Sequence, residues 1–64
     1  MTYVTFFSHY GAIQFKKVLE KRGIPVVLMP VPRFLSSSCG TCARVEGSLP
    51  DDIDPTDIEG VYPQ

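Results

Sequence analysis

Two cysteines separated by two residues are the part of this sequence that most clearly predicts chemistry. Cys39 and Cys42 form a C-x-x-C pair, in which one sulfur can act as a thiolate nucleophile while the other resolves a mixed disulfide or shares a metal ion. In thioredoxin-like enzymes the pair opens a helix, and the helix dipole lowers the pKa of the first thiol. Residues 41–45 have strand character in this chain, so we expect other groups to stabilise a thiolate.

The segment around the cysteines contains several groups suited to hold a negative charge. Arg33 and Arg44 are the cations nearest to the pair in the sequence, and a cation beside a thiolate favours its ionised form. Short polar residues add hydroxyl groups and a flexible run of backbone amides that could form a concave anion-binding nest. These residues are Ser36, Ser37, Ser38 and Gly40. We therefore predict Cys39 and Cys42 as the reactive residues and the others as anion-stabilising residues, with a solvated hairpin loop as the alternative interpretation of the serines.

Metal binding is a second possibility for the cysteine pair. One C-x-x-C provides two ligands, whereas a closed structural zinc site needs four. The single histidine, His9, stands at the far end of the predicted first strand, and we interpret it as a capping or solvent-exposed residue. We therefore expect no metal site within one chain, and a zinc-bridged dimer that pools the cysteines of two chains stays open.

The length of the chain restricts the kind of protein it can be. Its 64 residues, with a mass of 7.1 kDa, make room for a single domain, 1–64. A domain of this size buries only about 60% of the surface that its extended chain would expose. This excludes a cleft enzyme that surrounds a large substrate and a doubly wound nucleotide-binding fold. With 44% hydrophobic and 20% charged residues, the composition is that of an ordinary globular protein.

Hydropathy and charge indicate the compartment and the partners. The longest apolar run, residues 24–31, is too short to span a bilayer, and the N-terminus lacks the features of a secretory signal. We expect a cytoplasmic protein, and in that reducing compartment cysteines are more often reactive or metal-binding than a structural disulfide. Residues 1–38 hold five of the six Lys/Arg and one of the seven Asp/Glu. Residues 39–64 hold the other acidic residues and would repel phosphates. We therefore expect neither nucleic acid nor membrane as a partner.

The first half of the sequence predicts a strand followed by a helix. Residues 2–7 are rich in β-branched and aromatic types and apolar on both faces, as is typical of a central strand. Ser8 is suited to cap a helix over residues 9–22. The apolar residues at helical spacing predict the face that packs on the sheet; they are Ala12, Phe15, Val18 and Leu19. The helix should end at Gly23, with Ile24 folding back onto it and Pro25 preventing its continuation.

The rest of the sequence predicts three more strands and little helix. Residues 25–31 form a second strand whose prolines place it at an edge, and residues 41–45 form a third that returns as its hairpin partner. Two prolines and four aspartates in residues 50–57 allow at most one helical turn, and residues 60–62 add a fourth strand. The pattern predicts an α+β fold, a small ferredoxin-like β-α-β-β-(short turn)-β half-sandwich with a reduced second helix.

Several of these segments together resemble a known family. The P-V-P-R sequence at residues 30–33 followed by S-S-S-C-G at 36–40, with the Gly-Ile-Pro stop at 23–25 and Gly-Val-Tyr at 60–62, is similar to the putative Se/S carrier protein-like family of small bacterial proteins. The resemblance covers most of the chain and implies a small α/β domain that holds sulfur or selenium on Cys39. The segment between Gly47 and Gly60 is shorter than the second helix of that family, which would expose a sheet face and favour a homodimer or a partner domain.

The resemblance and the cysteine pair together suggest a specific function. We expect a sulfur or selenium carrier in which Cys39 receives a persulfide-type atom from a donor protein, Arg33 and nearby amides stabilise its charge, and Cys42 resolves or releases it to an acceptor protein. Such a protein is a relay rather than a stand-alone enzyme, and it needs no cofactor. A C-x-x-C thiol-disulfide redox module and a zinc-bridged structural dimer stay open as alternatives.

Overall fold

The sheet and the helix expected from the sequence are both present. The computed structural model describes residues 1–35, 37–47, 49–50, 53 and 57–63. The elements in chain order are β1 (Thr2–Phe6), α1 (His9–Lys21), β2 (Val26–Pro30), β3 (Thr41–Val45) and β4 (Ile58–Pro63). The α+β class is confirmed. The predicted helical turn before β4 falls mostly outside the described residues, and no helix in the described part of the chain is long and apolar enough to cross a membrane.

The four strands form one sheet in the order β2-β3-β1-β4, with antiparallel pairing between neighbours. As predicted, β1 is central, β2 is at an edge, and β3 is the hairpin partner of β2. The crossover through α1 makes β1 and β2 parallel, but β3 is inserted between them. This split β-α-β arrangement is that of a ferredoxin-like sheet, so the predicted architecture is compatible with the structure.

Local sequence signals determine both ends of α1. At the start, the Ser8 hydroxyl accepts a hydrogen bond of 3.1 Å from the N–H of Gly11. At the end, Gly23 adopts a φ of 77°, which glycine reaches at little steric cost. The N–H of Gly23 donates to the Glu20 carbonyl and the N–H of Ile24 to the Leu19 carbonyl, each at 3.0 Å. These bonds are the predicted Schellman motif, with Arg22 as the cap residue rather than the last helical one.

The hydrophobic core lies between α1 and one face of the sheet. Its buried residues come from both layers: Val4, Phe6, Ala12, Phe15, Leu19, Val26, Ala43 and Val45. The rings of Phe6 and Phe15 lie 5.2 Å apart across the layers. Val18, which was predicted to belong to this face, is 43% exposed. That prediction was wrong because α1 packs on β1, β2 and β3, whereas Val18 lines a groove of about 570 Å³ toward residues that precede and begin β4.

The face of the sheet turned away from α1 carries a second set of side chains. Register places Thr5 opposite Cys42 and Tyr3 opposite Arg44, so these residues share that face. Thr5 and Cys42 are fully buried. Phe34, from the loop after β2, packs edge-on against Tyr3 at a ring distance of 5.7 Å. The 31–40 loop therefore supplies cover to this face as well as the site residues described below.

Asp57 fastens the start of β4 to the start of α1. Its carboxylate accepts hydrogen bonds from the Ser8 hydroxyl at 2.7 Å and the Ser8 N–H at 3.3 Å, and its carbonyl accepts from the Phe7 N–H at 3.1 Å. The carboxylate approaches α1 so closely that a Cβ at position 11 would overlap it. Gly11 is therefore required by the packing of Asp57 and not by the helix.

This close approach makes a prediction about Gly11→Ala. Alanine is favoured over glycine in a helix by about 1 kcal/mol, but overpacking costs about 1–3 kcal/mol, so we expect a free energy of unfolding lower by up to about 2 kcal/mol. Urea denaturation measures this change. In an Asp57→Gly background the same substitution should become neutral or stabilising, and a loss of equal size in both backgrounds would contradict the assignment.

Candidate functional site

Several residues that could take part in chemistry meet at one end of the sheet, where β1 ends and β3 and β4 begin. The Ser37 hydroxyl donates to the carbonyl of Phe6, the last residue of β1, at 3.0 Å. Ser38 contacts Glu59 at the start of β4. His9, at the start of α1, contacts Thr41 at the start of β3. Three strands and the helix thus hold the loop that carries Cys39.

Cys39 is a half-buried free thiol in this loop. Its Sγ donates to the carbonyl of Thr41 at 3.4 Å and lies 3.7 Å from the hydroxyl of Ser37. Its backbone N–H donates to the same hydroxyl at 3.4 Å, and its side chain packs against the helix-side core. The thiol is therefore held by defined neighbours and still partly open to solvent.

Cys42 occupies a different environment, although it belongs to the same C-x-x-C pair. It lies within β3, opposite Thr5 of β1 and Met29 of β2, and its side chain is fully buried. Burial raises the pKa of the Cys42 thiol, and the negative charge of a Cys39 thiolate raises it further. A thiol that is enclosed and reluctant to ionise is poorly suited to the resolving role expected from the spacing.

One residue of the predicted anion-binding nest, Ser38, binds a carboxylate of the same chain. The Ser38 N–H and hydroxyl donate to the two carboxylate oxygens of Glu59 at 2.9 and 3.0 Å. The hydrogen bond from the Ser38 N–H lowers the pKa of Glu59 most, and the one from the Ser38 hydroxyl lowers it further. Gly40 has a φ of 73°, and its carbonyl accepts from the Val31 N–H at 3.3 Å, which closes the loop before β3. Ser36 lies outside the described residues.

The two arginines predicted to stabilise a thiolate are placed elsewhere. Arg33 is exposed in the turn after β2, and Arg44 lies on the sheet face turned away from α1, opposite Tyr3. Within the residues that the structure describes, neither forms a hydrogen bond with Cys39. A shared neighbour instead connects the thiol to His9, whose Nδ1 lies 3.2 Å from the Thr41 hydroxyl.

The position of His9 follows from topology and not from sequence distance. In an antiparallel pair, the residues just after one strand lie beside those that begin the other. The sequence signals this position only indirectly. His9 follows the predicted first strand, and it comes to lie beside Thr41 if β1 pairs with β3. Among the described residues, no group of three or more His, Cys, Asp or Glu is arranged so that it could hold a metal ion.

The contrast between the cysteines makes a prediction about their reactivity. In the native protein, iodoacetamide should modify Cys39 at least about tenfold faster than Cys42, because a buried thiol reacts only through local opening. Peptide mass spectrometry after timed quenching measures both rates. In urea the two rates should converge, and equal rates in the folded protein would show that the environments do not differ as described.

The hydrogen bonds of Glu59 make a prediction about pH. Since the pKa of Glu59 is lowered in the folded state, its interaction stabilises the fold above the ordinary glutamate pKa and is lost as the pH falls through the lowered one. Ser38→Ala removes one donor, so the pKa of Glu59 should rise toward its ordinary value in an NMR titration, and the stability difference from wild type should shrink below about pH 4.

The matched control for this titration is Ser8→Ala. It removes a serine hydroxyl that donates to a different carboxylate, that of Asp57, and should leave the pKa of Glu59 unchanged. A Glu59 titration that is the same in wild type and Ser38→Ala would rule out the Ser38 hydroxyl as a cause of the shift.

Comparison with known proteins agrees with the resemblance seen in the sequence. The family described as Putative Se/S carrier protein-like matches residues 1–54 of the 64-residue chain. The matched range contains β1, α1, β2 and β3, and with them Cys39, Cys42 and His9. No curated protein and no solved structure matches the chain. Because the family match covers most of its length, the chain belongs to the Putative Se/S carrier protein-like family.

Proposed function

We propose that this protein is a cytoplasmic sulfur or selenium carrier that holds the atom on Cys39, as a persulfide or a selenium-substituted sulfur. The observation that carries the proposal is the half-buried, free Cys39 thiol at the open end of the sheet, in a chain of the Se/S carrier protein-like family. The family description names the cargo, and the geometry favours Cys39 over Cys42 as the residue that receives it.

The transfer itself requires no oxidant and no cofactor. The Cys39 thiolate attacks the outer sulfur of a persulfide on a donor protein, and a new S–S bond forms at Cys39. The S–S bond of the donor breaks, and its electron pair leaves on the donor thiolate. Delivery to an acceptor repeats the same exchange in the opposite direction. Donor and acceptor proteins are therefore the partners that this function needs, and the carrier is a relay between them.

The surroundings of Cys39 support a role in relay. The thiol is held by Ser37 and Thr41, which orient the sulfur without enclosing it. Arg33 is exposed in the same loop and would stabilise the negative charge of a loaded sulfur by approaching it upon partner binding. Arg44 lies on the other face of the sheet from α1, so we assign it a smaller part in the proposed stabilisation.

The burial of Cys42 favours a carrier over a thiol-disulfide redox module. A redox module passes electrons by exposing each sulfur in turn to its partner. Cys42 is enclosed by its neighbours in β1 and β2, and burial raises its pKa. In the proposed function Cys42 is thus a secondary residue, and its release of the cargo would require β3 to open locally.

Sulfur loading tests the proposed function directly. The protein is incubated with a cysteine desulfurase and cysteine, and its intact mass is measured without reductant. Wild type should gain the mass of one sulfur atom, because Cys39 can accept it, and Cys39→Ala should gain none. A parallel incubation with a selenocysteine lyase and selenocysteine would show which of the two elements is preferred.

The matched control for loading is Cys42→Ala, the same substitution at the buried cysteine. This variant should load as wild type does. A sulfur gain that persists in Cys39→Ala and disappears in Cys42→Ala would transfer the role to Cys42, and no gain in wild type would contradict the carrier function.

A further inference from the structure

His9 and Cys39 are connected through a single residue, although thirty positions separate them in the sequence. The backbone carbonyl of Thr41 accepts a hydrogen bond from the Cys39 thiol at 3.4 Å. The side-chain hydroxyl of Thr41 lies 3.2 Å from Nδ1 of His9. The imidazole therefore stands beside the same residue that holds the thiol. Its ring is exposed, so that it can exchange protons with solvent and with a visiting partner.

We propose that His9 is a positioning residue of the Cys39 site: it contacts the hydroxyl of Thr41, whose carbonyl accepts the thiol, and its imidazolium brings a positive charge near the thiolate. The inference rests on the proposed carrier function, in which Cys39 must ionise before it can attack. Imidazole is the side chain that ordinarily exchanges a proton between about pH 5 and pH 8. A neighbouring cation favours the ionised form of a thiol. His9 thus adds a positive charge near the resting thiol to the stabilisation that we propose for Arg33 in the loaded state.

Charged groups on the neighbouring elements also act on the thiol. Glu59 of β4 is bonded to Ser38, the residue before Cys39, and its negative charge opposes a thiolate. Cys42 of β3 lies on the far face of the sheet, together with Arg44, and Arg33 is exposed in the loop.

Asp57 lies at the same helix start as the imidazole. Its carboxylate is bonded to Ser8, the residue before His9, and adds a negative charge at the first turn of α1.

The proton and the electrons balance in the loading step. The S–H bond of Cys39 breaks, its proton passes to water, and the electron pair stays on Sγ. The thiolate forms a bond to the outer sulfur of the donor persulfide, and the S–S bond of the donor breaks. Its electron pair leaves on the donor thiolate, which takes up a proton from water, while Cys39 carries the sulfur.

The pH dependence of Cys39 alkylation tests the inference without any sulfur donor. Wild type, His9→Gln and Thr41→Val are treated with iodoacetamide from about pH 5 to about pH 10, and the modified Cys39 peptide is quantified. At neutral pH, His9→Gln should react about three- to tenfold more slowly than wild type, since one pKa unit changes the thiolate fraction about tenfold. At high pH, where the thiol is ionised in every variant, the rates should converge.

Two further variants separate charge from structural damage. Thr41→Val removes the hydroxyl beside His9 and keeps the carbonyl that accepts the thiol, so it should change the profile in the same direction and by less. His9→Lys restores a positive charge and should recover part of the neutral-pH rate. Cys42 should stay protected in all variants, which shows that β3 is intact. Superimposable profiles of wild type and His9→Gln would overturn the inference.

The alkylation profile and the loading experiment fail independently of each other. If wild type loads sulfur on Cys39 and the profiles superimpose, the carrier function stands and the role of His9 is wrong. If the profiles differ as expected and no sulfur is gained, the Cys39–His9 pair stands and the carrier function is wrong.

Discussion

The register of the antiparallel pairing between β1 and β3 determines the environment of both cysteines. It places Cys42 opposite Thr5, in the middle of the sheet and on the face turned away from α1. The same register makes β3 begin where β1 ends, so that Cys39, just before β3, lies beyond the end of the sheet next to the first turn of α1. A shift of one residue would exchange the faces of every side chain in β3. The difference between the two thiols is thus a property of strand pairing and not of the C-x-x-C spacing.

Two carboxylates from the acidic part of the chain fasten this end of the sheet. Asp57 accepts the N–H and hydroxyl of Ser8, and Glu59 accepts the N–H and hydroxyl of Ser38. Most of the basic residues lie in positions 1–38 and most of the acidic ones in the rest of the chain, and among the described residues Lys16 and Glu20 form an ion pair within α1. The acidic residues act here through neutral serine donors, which fix geometry better than flexible lysine side chains do.

The sequence predicts those features that depend on neighbouring residues. The serine cap of α1 and its Gly23 stop are each complete within a few positions, and both are confirmed. Val18 was misassigned because it lines a groove toward residues that precede and begin β4. These residues are far from Val18 in the sequence. Composition predicts the cysteine loop as the site, but the carboxylate bonded to this loop, that of Glu59, and the histidine at its side come from other elements. Spacing alone also could not show that Cys42 is buried, since it shares its face of β3 with the charged Arg44 and not with the apolar Ala43 and Val45.

In the proposed carrier, the hydrogen bonds of Cys39 differ between the empty and the loaded state. In the resting thiol, the proton on Sγ is donated to the Thr41 carbonyl, a group that can accept and never donate. Once a sulfur is loaded, Sγ is bonded to that atom and no longer has a proton to offer, so this contact is lost and the Ser37 hydroxyl, at 3.7 Å, is the remaining polar neighbour. Empty and loaded states therefore present different hydrogen-bonding surfaces at the same position. In this proposal, a donor protein that recognises the first and an acceptor that recognises the second would give the transfer a direction.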